Sequence, residues 1–530
     1  MNSYADVSAA ELYESLLPDR EQFTRAAEEA AALSIPSLFP PNGHSNGADL
    51  QKPKNGIGAR GINHMSSRLL MALLPTTANF FRMVADAAAE EALNADKEGR
   101  AEVEQALADM EREVQKEIAT SGIRVPTAEA LKQLLVAGNT LVHAADDSDS
   151  LDIYTLREYV VQRDRSDKVL AIVLCEEVSP LSLEPDLREL ALQAPEAAES
   201  FGAGVTPSAI KSVRIYTKIW LGEDGRYYEH QELAGRIIDG TRGSYLADEM
   251  PWLALRWTRV QGESYGRSLL NEYDGPIRSI EILTTSLLKG SVAAARVIPL
   301  VNPNGFLDPE DINNAEDGEF VFGTEDDLSF AQLNKFADFS VARAELEDLR
   351  KDMSAVFLLN VARQAERVTA EEIRLFANEL EGTHAGTFTL MAAEFQLPVI
   401  RRKLRRLEKR GVIGKLSAKL RDHIKPAIVS GVDALGRSQD LDKMAMALRS
   451  LQGVIDPTVL QQYTNPGKLI AYALMSAGVD IPDAVKSDED VKQEQAAAQQ
   501  QAQMGSLIEQ AGKNPEMAQQ IIAQLQGANQ

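Results

Sequence analysis

Asp274-Gly275-Pro276-Ile277-Arg278-Ser279-Ile280-Glu281-Ile282-Leu283-Thr284-Thr285-Ser286-Leu287-Leu288-Lys289-Gly290 opens the stretch that decides how this chain folds, and the stretch runs on to Glu372. Its first part reads as a helix over 274–295. An acid at the start caps free N–H groups, and a proline in the first turn forfeits no helical hydrogen bond. Ile277, Ile280, Leu283 and Leu287 recur at spacings of three and four, the repeat of one helical stripe. Pro299 stops any continuation. A second helix is expected over 340–360, where Leu346, Leu349, Met353 and Val356 repeat the pattern. At about 1.5 Å per residue, each helix reaches roughly 30 Å. Ile280, Leu283 and Leu287 on one, with Leu346, Leu349 and Met353 on the other, make narrow seams that need partners at small crossing angles. Two helices are too few to cover both seams, whereas repetition of the arm around a ring would supply the neighbours. An ordinary helical hairpin inside a globular domain is the plainer alternative.

The insertion between the helices, 296–339, is acidic. Asp308, Glu310, Asp311, Asp326 and Asp327 stand out, with no basic residue among them. Calcium loops need acids alternating around a glycine, a register this segment lacks, so a solvated or protein-facing surface is expected.

Working outward, 530 residues suffice for at least two structural units plus tails. The 55 basic and 79 acidic residues leave a net charge of −24, which argues against a broad nucleic-acid or membrane surface. The single cysteine, Cys175, allows no intrachain disulfide and fits a reducing compartment. Met1 to Leu17 shows no basic region followed by an apolar core, and no run of 18 apolar residues occurs, so neither a secretion signal nor a stable membrane insertion is expected.

Towards the N-terminus, 9–33 has helical periodicity that ends at Pro36, Pro40 and Pro41. Gly56-Ile57-Gly58-Ala59-Arg60-Gly61 matches the dinucleotide pattern G-x-G-x-x-G, but polar residues precede it where a hydrophobic strand is required. It reads instead as a loop entering a helix over 62–74. An acidic amphipathic helix is expected over 96–120. From about 151 to 260 the pattern turns to strands, with Asp224-Gly225 as a hairpin signal, giving an α+β unit with a mostly antiparallel sheet. Gly262-Glu263-Ser264-Tyr265-Gly266 fits the nucleophile-elbow pattern G-x-S-x-G. Its histidine partner would have to be His384 or His423, both in segments that read as helical. A Ser264-dependent hydrolase is therefore an alternative reading.

Thr369 and Glu372 form a capping box that starts a helix running to about Arg410, bent near Pro398. Arg401, Arg402, Lys403, Arg405 and Arg406 form the densest basic cluster. A solvated face, or pairing with acids of a neighbouring subunit, is the simpler reading; phosphate contact is the other. Beyond residue 491 glutamine and alanine dominate, with little apolar surface to offset ordering entropy. No G-x-x-x-x-G-K-[ST] loop, H-E-x-x-H or paired C-x-x-C is present, so neither P-loop ATPase nor zinc chemistry is expected.

Several blocks, in order, carry a resemblance. They are Arg20 through Phe39-Pro40, Gly58-Ala59-Arg60-Gly61-Ile62-Asn63, Leu69 to Pro75, Phe80-Phe81-Arg82 and Leu156-Arg157-Glu158-Tyr159-Val160-Val161-Gln162-Arg163-Asp164. Gly262 to Ser268, Glu366 to Ile373 and Gly431 to Arg437 continue the series. Together they resemble the portal proteins, or head-to-tail connectors, of short-tailed double-stranded-DNA phages. The resemblance does not reach the C-terminal tail. It implies an α+β, predominantly helical, portal-type ring subunit. Its parts would be an N-terminal wing over 1–273, stem helices over 274–295 and 340–360, a clip over 296–339, and a tunnel loop over 361–369. A long kinked helix with more wing would follow over 370–425, then a helical crown over 426–487 and a tail or helical barrel over 488–530.

The same resemblance implies a homododecamer without catalytic activity or cofactor, in the virion at one capsid vertex and in the host cytoplasm during assembly. Implied partners are the terminase large subunit, scaffold and major capsid proteins, the tail adaptor (tail tube) protein, core or ejection proteins, and DNA passing without sequence-specific contact. Arg363, Glu366 and Arg367 become candidate DNA-facing residues. Twelve copies at −24 sum to −288, a wall that does not grip phosphates. A helical protein-binding scaffold without a channel is the remaining alternative.

Overall fold

Ser8 opens the first helix with a capping box: its hydroxyl accepts from the Glu11 N–H at 3.2 Å, and the Glu11 carboxylate accepts from the Ser8 N–H at 3.4 Å. The helix that follows, α1 (Ala9–Ala32), buries Leu12, Leu16, Phe23, Ala27 and Ala31. In the computed structural model the chain is described over residues 4–44, 48–75, 80–89, 97–145, 148–194, 212–296, 298–331, 336–359, 382, 386–414 and 423–428. Next come α2 (Ile57–Leu73), β1 (Phe81–Ala85), α3 (Lys97–Thr120) and α4 (Arg124–Ala137). The helix α2 begins five residues before the expected Ile62, because Asn55 Oδ1 accepts the Ile57 N–H at 3.2 Å and starts the turn there.

Two antiparallel sheets follow. The smaller has the order β10-β2-β3, from β2 (Asn139–His143), β3 (Asp152–Thr155) and β10 (Trp252–Arg256). The larger has six strands: β4 (Tyr159–Arg163), β5 (Val169–Val178), β6 (Val213–Leu221), β7 (Tyr227–Leu233), β8 (Arg236–Ile237) and β9 (Gly243–Tyr245). A short helix, α5 (Pro185–Leu192), lies between β5 and β6. The strand pattern expected up to about 260 thus ends earlier and divides between two sheets: β10 stops at Arg256 and pairs with β2, away from the larger sheet.

The arm is built from α6 (Leu269–Glu272), α7 (Asp274–Ala295), β11 (Ile298–Val301), α8 (Pro309–Asn314), β12 (Leu328–Ala331) and α9 (Phe336–Val356). The helix α9 starts four residues earlier than the periodicity placed it. Finally α10 (Thr387–Met391), a π-helical turn at Ala392–Gln396 and α11 (Leu397–Lys409) form one continuous helical run. Pro398 has no N–H to give the preceding turn, and the helix widens there. The last described element, β13 (Ile424–Ile428), pairs antiparallel with β1. Pro426, expected at the start of a helical crown, is therefore within a strand.

Pro426 lies opposite Met83, whose N–H turns the other way and donates to Glu111 Oε1 of α3 at 2.7 Å. The missing proline donor is therefore not needed by the ladder. The main core joins α1, α2, α4, the small sheet and the base of the arm; one satellite lies between α1 and β4–β5, another under α5.

Candidate functional site

The two long helices of the arm run antiparallel. Arg350 of α9 meets the Thr284 hydroxyl of α7 at 3.5 Å, and Phe339 of α9 lies over Gly290, where a Cβ would come within 2.4 Å of its ring. The seam residues turn inward. Ile280, Leu346 and Met353 are 0%, 5% and 1% exposed, and Leu283, Leu287 and Leu349 pack against the same core. The seam thus closes within one chain, since α2 and the residues just after α9 supply the extra partners that a bare hairpin lacks. Phe357 is fully buried and lies against Gly61 of α2, where a Cβ would sit 2.3 Å from the ring. Gly58 faces the Leu33 carbonyl oxygen in the same way, at 2.9 Å. The G-x-G-x-x-G pattern therefore serves close packing of α2.

The insertion between the two long helices is built on a hairpin in which β11 pairs with β12, Ile298 opposite Ala331 and Val301 opposite Leu328. Its acids divide into two kinds. Asp308 caps α8 by accepting the Glu310 N–H at 2.9 Å. Asp327 is buried and accepts the N–H groups of Thr324 at 2.9 Å and Phe306 at 3.4 Å. The Thr324 backbone bond, foremost, holds its carboxyl below the usual range. Glu310, Asp311 and Asp326 face solvent. Beside them Phe306, Phe320 and Phe322 are 89%, 97% and 89% exposed. Sequence reading passed over these phenylalanines, although three aromatic residues in a segment with almost no apolar periodicity were a signal of uncovered surface.

Ser264 has a structural task. The outer edge of the larger sheet is β4, whose free N–H groups at Val161 and Arg163 are taken by the Tyr265 hydroxyl at 3.1 Å and Ser264 Oγ at 3.2 Å. Gly266 is tied to Asn139 by two hydrogen bonds of 2.7 and 2.9 Å. The nearby Arg20 guanidinium donates to the carbonyls of Arg157 at 2.7 Å and Tyr159 at 3.0 Å. Three separate blocks of the resemblance thus meet at one sheet edge. His423 is engaged elsewhere, at 2.8 Å from Asp86, and His384 lies outside the described residues. Nothing in this arrangement favours a hydrolase.

The basic cluster on α11 finds partners in its own chain. Arg402 donates to the Glu249 carbonyl at 2.6 Å, and Arg405 pairs with the Glu249 carboxylate. Arg406 pairs with Asp149 at 2.5 Å and lies 3.9 Å from Glu117, while Lys403 is 4.0 Å from Glu117. Arg401 is half-buried. The expectation of acids from a neighbouring subunit is met instead by α3 and by loops next to the small sheet.

A second charged centre went unnoticed in the sequence, because its members are far apart along the chain. Glu394, in the π-helical turn, accepts from Arg256 Nη2 at 2.6 Å, Nε at 3.1 Å and its backbone N–H at 3.1 Å. Arg256 also reaches Asp167 at 2.9 Å, and Arg163 lies 3.8 Å from Glu394. Burial works against the Arg256 charge, but these carboxylates outweigh it and hold its pKa above the ordinary value. Burial prevails at Arg163 and pulls its pKa down. This network fastens the long helix to both sheets.

Arg363, Glu366 and Arg367 lie outside the described residues, as do 429–530. Among the described residues no group of three potential metal ligands occurs, and no helix is long and apolar enough to cross a membrane.

Comparison with known proteins agrees with the resemblance seen in the sequence blocks. The portal protein of Escherichia phage T7 is 36% identical over 512 residues, covering 94% of this chain and 92% of that protein. The portal protein of Enterobacteria phage T3 is 36% identical over 502 residues, covering 92% and 90%. Among solved structures, a chain in the neck of an empty gene transfer agent (GTA) particle aligns with 79% of this chain and 90% of its own at 13% identity. Its TM-score of 0.37 is too low to bear on the assignment. The model of the family described as bacteriophage head to tail connecting protein matches residues 7–482, and with these relatives it shows that the chain belongs to that family.

Proposed function

We propose that copies of this chain form a ring-shaped portal at one capsid vertex, and that double-stranded DNA is packaged and ejected through its axis. Family membership supports the reading, and the outer half of α7 carries it in the fold. From Ile282 to Ala295 the helix holds one charged residue, Lys289. Ile282, Leu288 and Val292 there are 59%, 52% and 62% exposed. A long helix face with Lys289 as its single charge needs a cover that the described residues do not provide, and the arm of a neighbouring copy is such a cover.

In this reading the ring has twelve subunits and does no chemistry of its own. The clip, with exposed phenylalanines among acids, receives an ATP-driven terminase large subunit during packaging and the tail adaptor afterwards. Scaffold and major capsid proteins meet the wing, and core or ejection proteins meet the crown side. Arg363, Glu366 and Arg367 face the DNA in the tunnel loop. The protein acts in the virion after assembly in the host cytoplasm. Native mass spectrometry with negative-stain imaging tests the ring. A species near twelve subunits with an axial hole is the expected result, and a stable monomer under assembly conditions overturns the proposal.

A further inference from the structure

Pro18 divides α1. Having no N–H, it leaves the Glu14 carbonyl without its helical donor, and both residues face solvent. The two halves of the helix belong to different clusters. After the proline, Phe23, Ala27, Ala30 and Ala31 lie in the main core. Before it, Ala9, Leu12, Tyr13 and Leu16 join Val160, Ala171 and Val173 of the larger sheet in a small satellite. Polar groups of β6 and β7 hold the leading half at its tip. Glu232 Oε2 accepts the Ala9 N–H at 2.8 Å, its other oxygen lies 2.7 Å from His230 Nε2, and the Lys218 ammonium donates to the Val7 carbonyl. Lys218 is fully buried, with its ammonium 4.8 Å from the centre of the Trp220 ring. Nearer the start, the Tyr4 hydroxyl donates to Gln162 Oε1 at 2.9 Å. Lys218 and Glu232 are thus drawn out of water beneath this segment, and their lost hydration offsets much of what their new bonds return. Burial lowers the Lys218 pKa, with Glu232 and Asp6 opposing.

We propose that residues 4–17 form a strap, hinged at Pro18, that leaves and regains the larger sheet while the rest of α1 stays in the core. A satellite of few apolar side chains over a polar latch opens at less cost in free energy than the main core. Opening uncovers Val160, Ala171 and Val173 together with Lys218 and Glu232. The chain therefore carries an N-terminal segment with a docked and a free state, whether or not it assembles into a ring.

Hydrogen exchange of the full chain, read by mass spectrometry, tests the hinge. Amides of 12–17 are expected to exchange at least about tenfold faster than those of 23–32 without denaturant. Glu232→Gln keeps the side-chain shape and removes the charge. It should speed exchange of 12–17 by a further factor of about ten or more and leave 23–32 unchanged. Acetylation of Lys218 by sulfosuccinimidyl acetate should rise in parallel, which reports the uncovering itself. Pro18→Ala restores the missing helical bond and should bring the two stretches towards one exchange rate; this variant decides the matter if Glu232→Gln does not fold. One exchange rate for 12–17 and 23–32 in the unaltered chain would make α1 a single rigid helix. Exchange of 12–17 unchanged in folded Glu232→Gln would remove the latch, and Lys218 left unacetylated while 12–17 exchanges would mean that the segment never leaves the sheet. Any of these three outcomes overturns the proposal.

Discussion

Gly61 and Ser264 show how a residue can be conspicuous in sequence for one reason and needed in the fold for another. Each sits in a motif known for chemistry, and the local pattern was legible. Its meaning depended on a partner far along the chain: Phe357 for Gly61, and the free N–H of Arg163 for Ser264. Spacing alone carries no record of such partners. The polar residues before Gly56 argued against the first chemistry, since a phosphate loop needs a strand before it, and the lack of a well-placed histidine argued against the second. Gly61→Ala is expected to lower stability by about 1–3 kcal/mol, because the Phe357 ring has nowhere to retreat. The same change in a Phe357→Ala background should cost much less, so a double-mutant cycle by urea denaturation should show strong coupling. Additive effects would remove Phe357 as the reason for the glycine.

Among the elements, the arm shows what periodicity does and does not contain. Its helices, their lengths and their apolar stripes were readable, because spacings of three and four admit one solution. The surface to which each stripe turns was not, because a stripe is compatible with a partner from the same chain or from another. The structure turns Ile280, Leu346 and Met353 inward and leaves Leu288 and Val292 outside. Two expectations follow, separated by their readouts. Leu346→Ala should cost about 2–5 kcal/mol in denaturant, as loss of a buried leucine does. The pair Leu288→Lys and Val292→Lys should change chain stability by no more than about 0.5 kcal/mol each, as exposed positions do. In native mass spectra that same pair should shift the population from rings to single chains. Normal rings from it would move the subunit contact to another face of the arm. The strands β11 and β12 were missed because each has four residues, too short for an alternation to be recognised.

Across the whole described part of the chain, connections were hardest to foresee. Asp86 and His423 are 337 residues apart, yet they meet where β1 pairs with β13. Neither five-residue strand carries a signal for the other, and loop closure over such a length is a property of the assembled core. Ile424 is 4% exposed behind that pair. Ile424→Asp should unzip β13, seen as loss of hydrogen-exchange protection at 81–85 while β5 and β6 remain protected. Unchanged protection at 81–85 would show that β1 is held by α3 alone. The arm shows a different kind of long-range relation. Phe339 of α9 fills the notch at Gly290 near the β11–β12 hairpin, and Phe357, just beyond the end of α9, fills the notch at Gly61 of α2. A shaft keyed at both ends cannot creep along its bearing: thrust or torque applied at the hairpin travels the full length of the arm and is delivered, without slip, at its root.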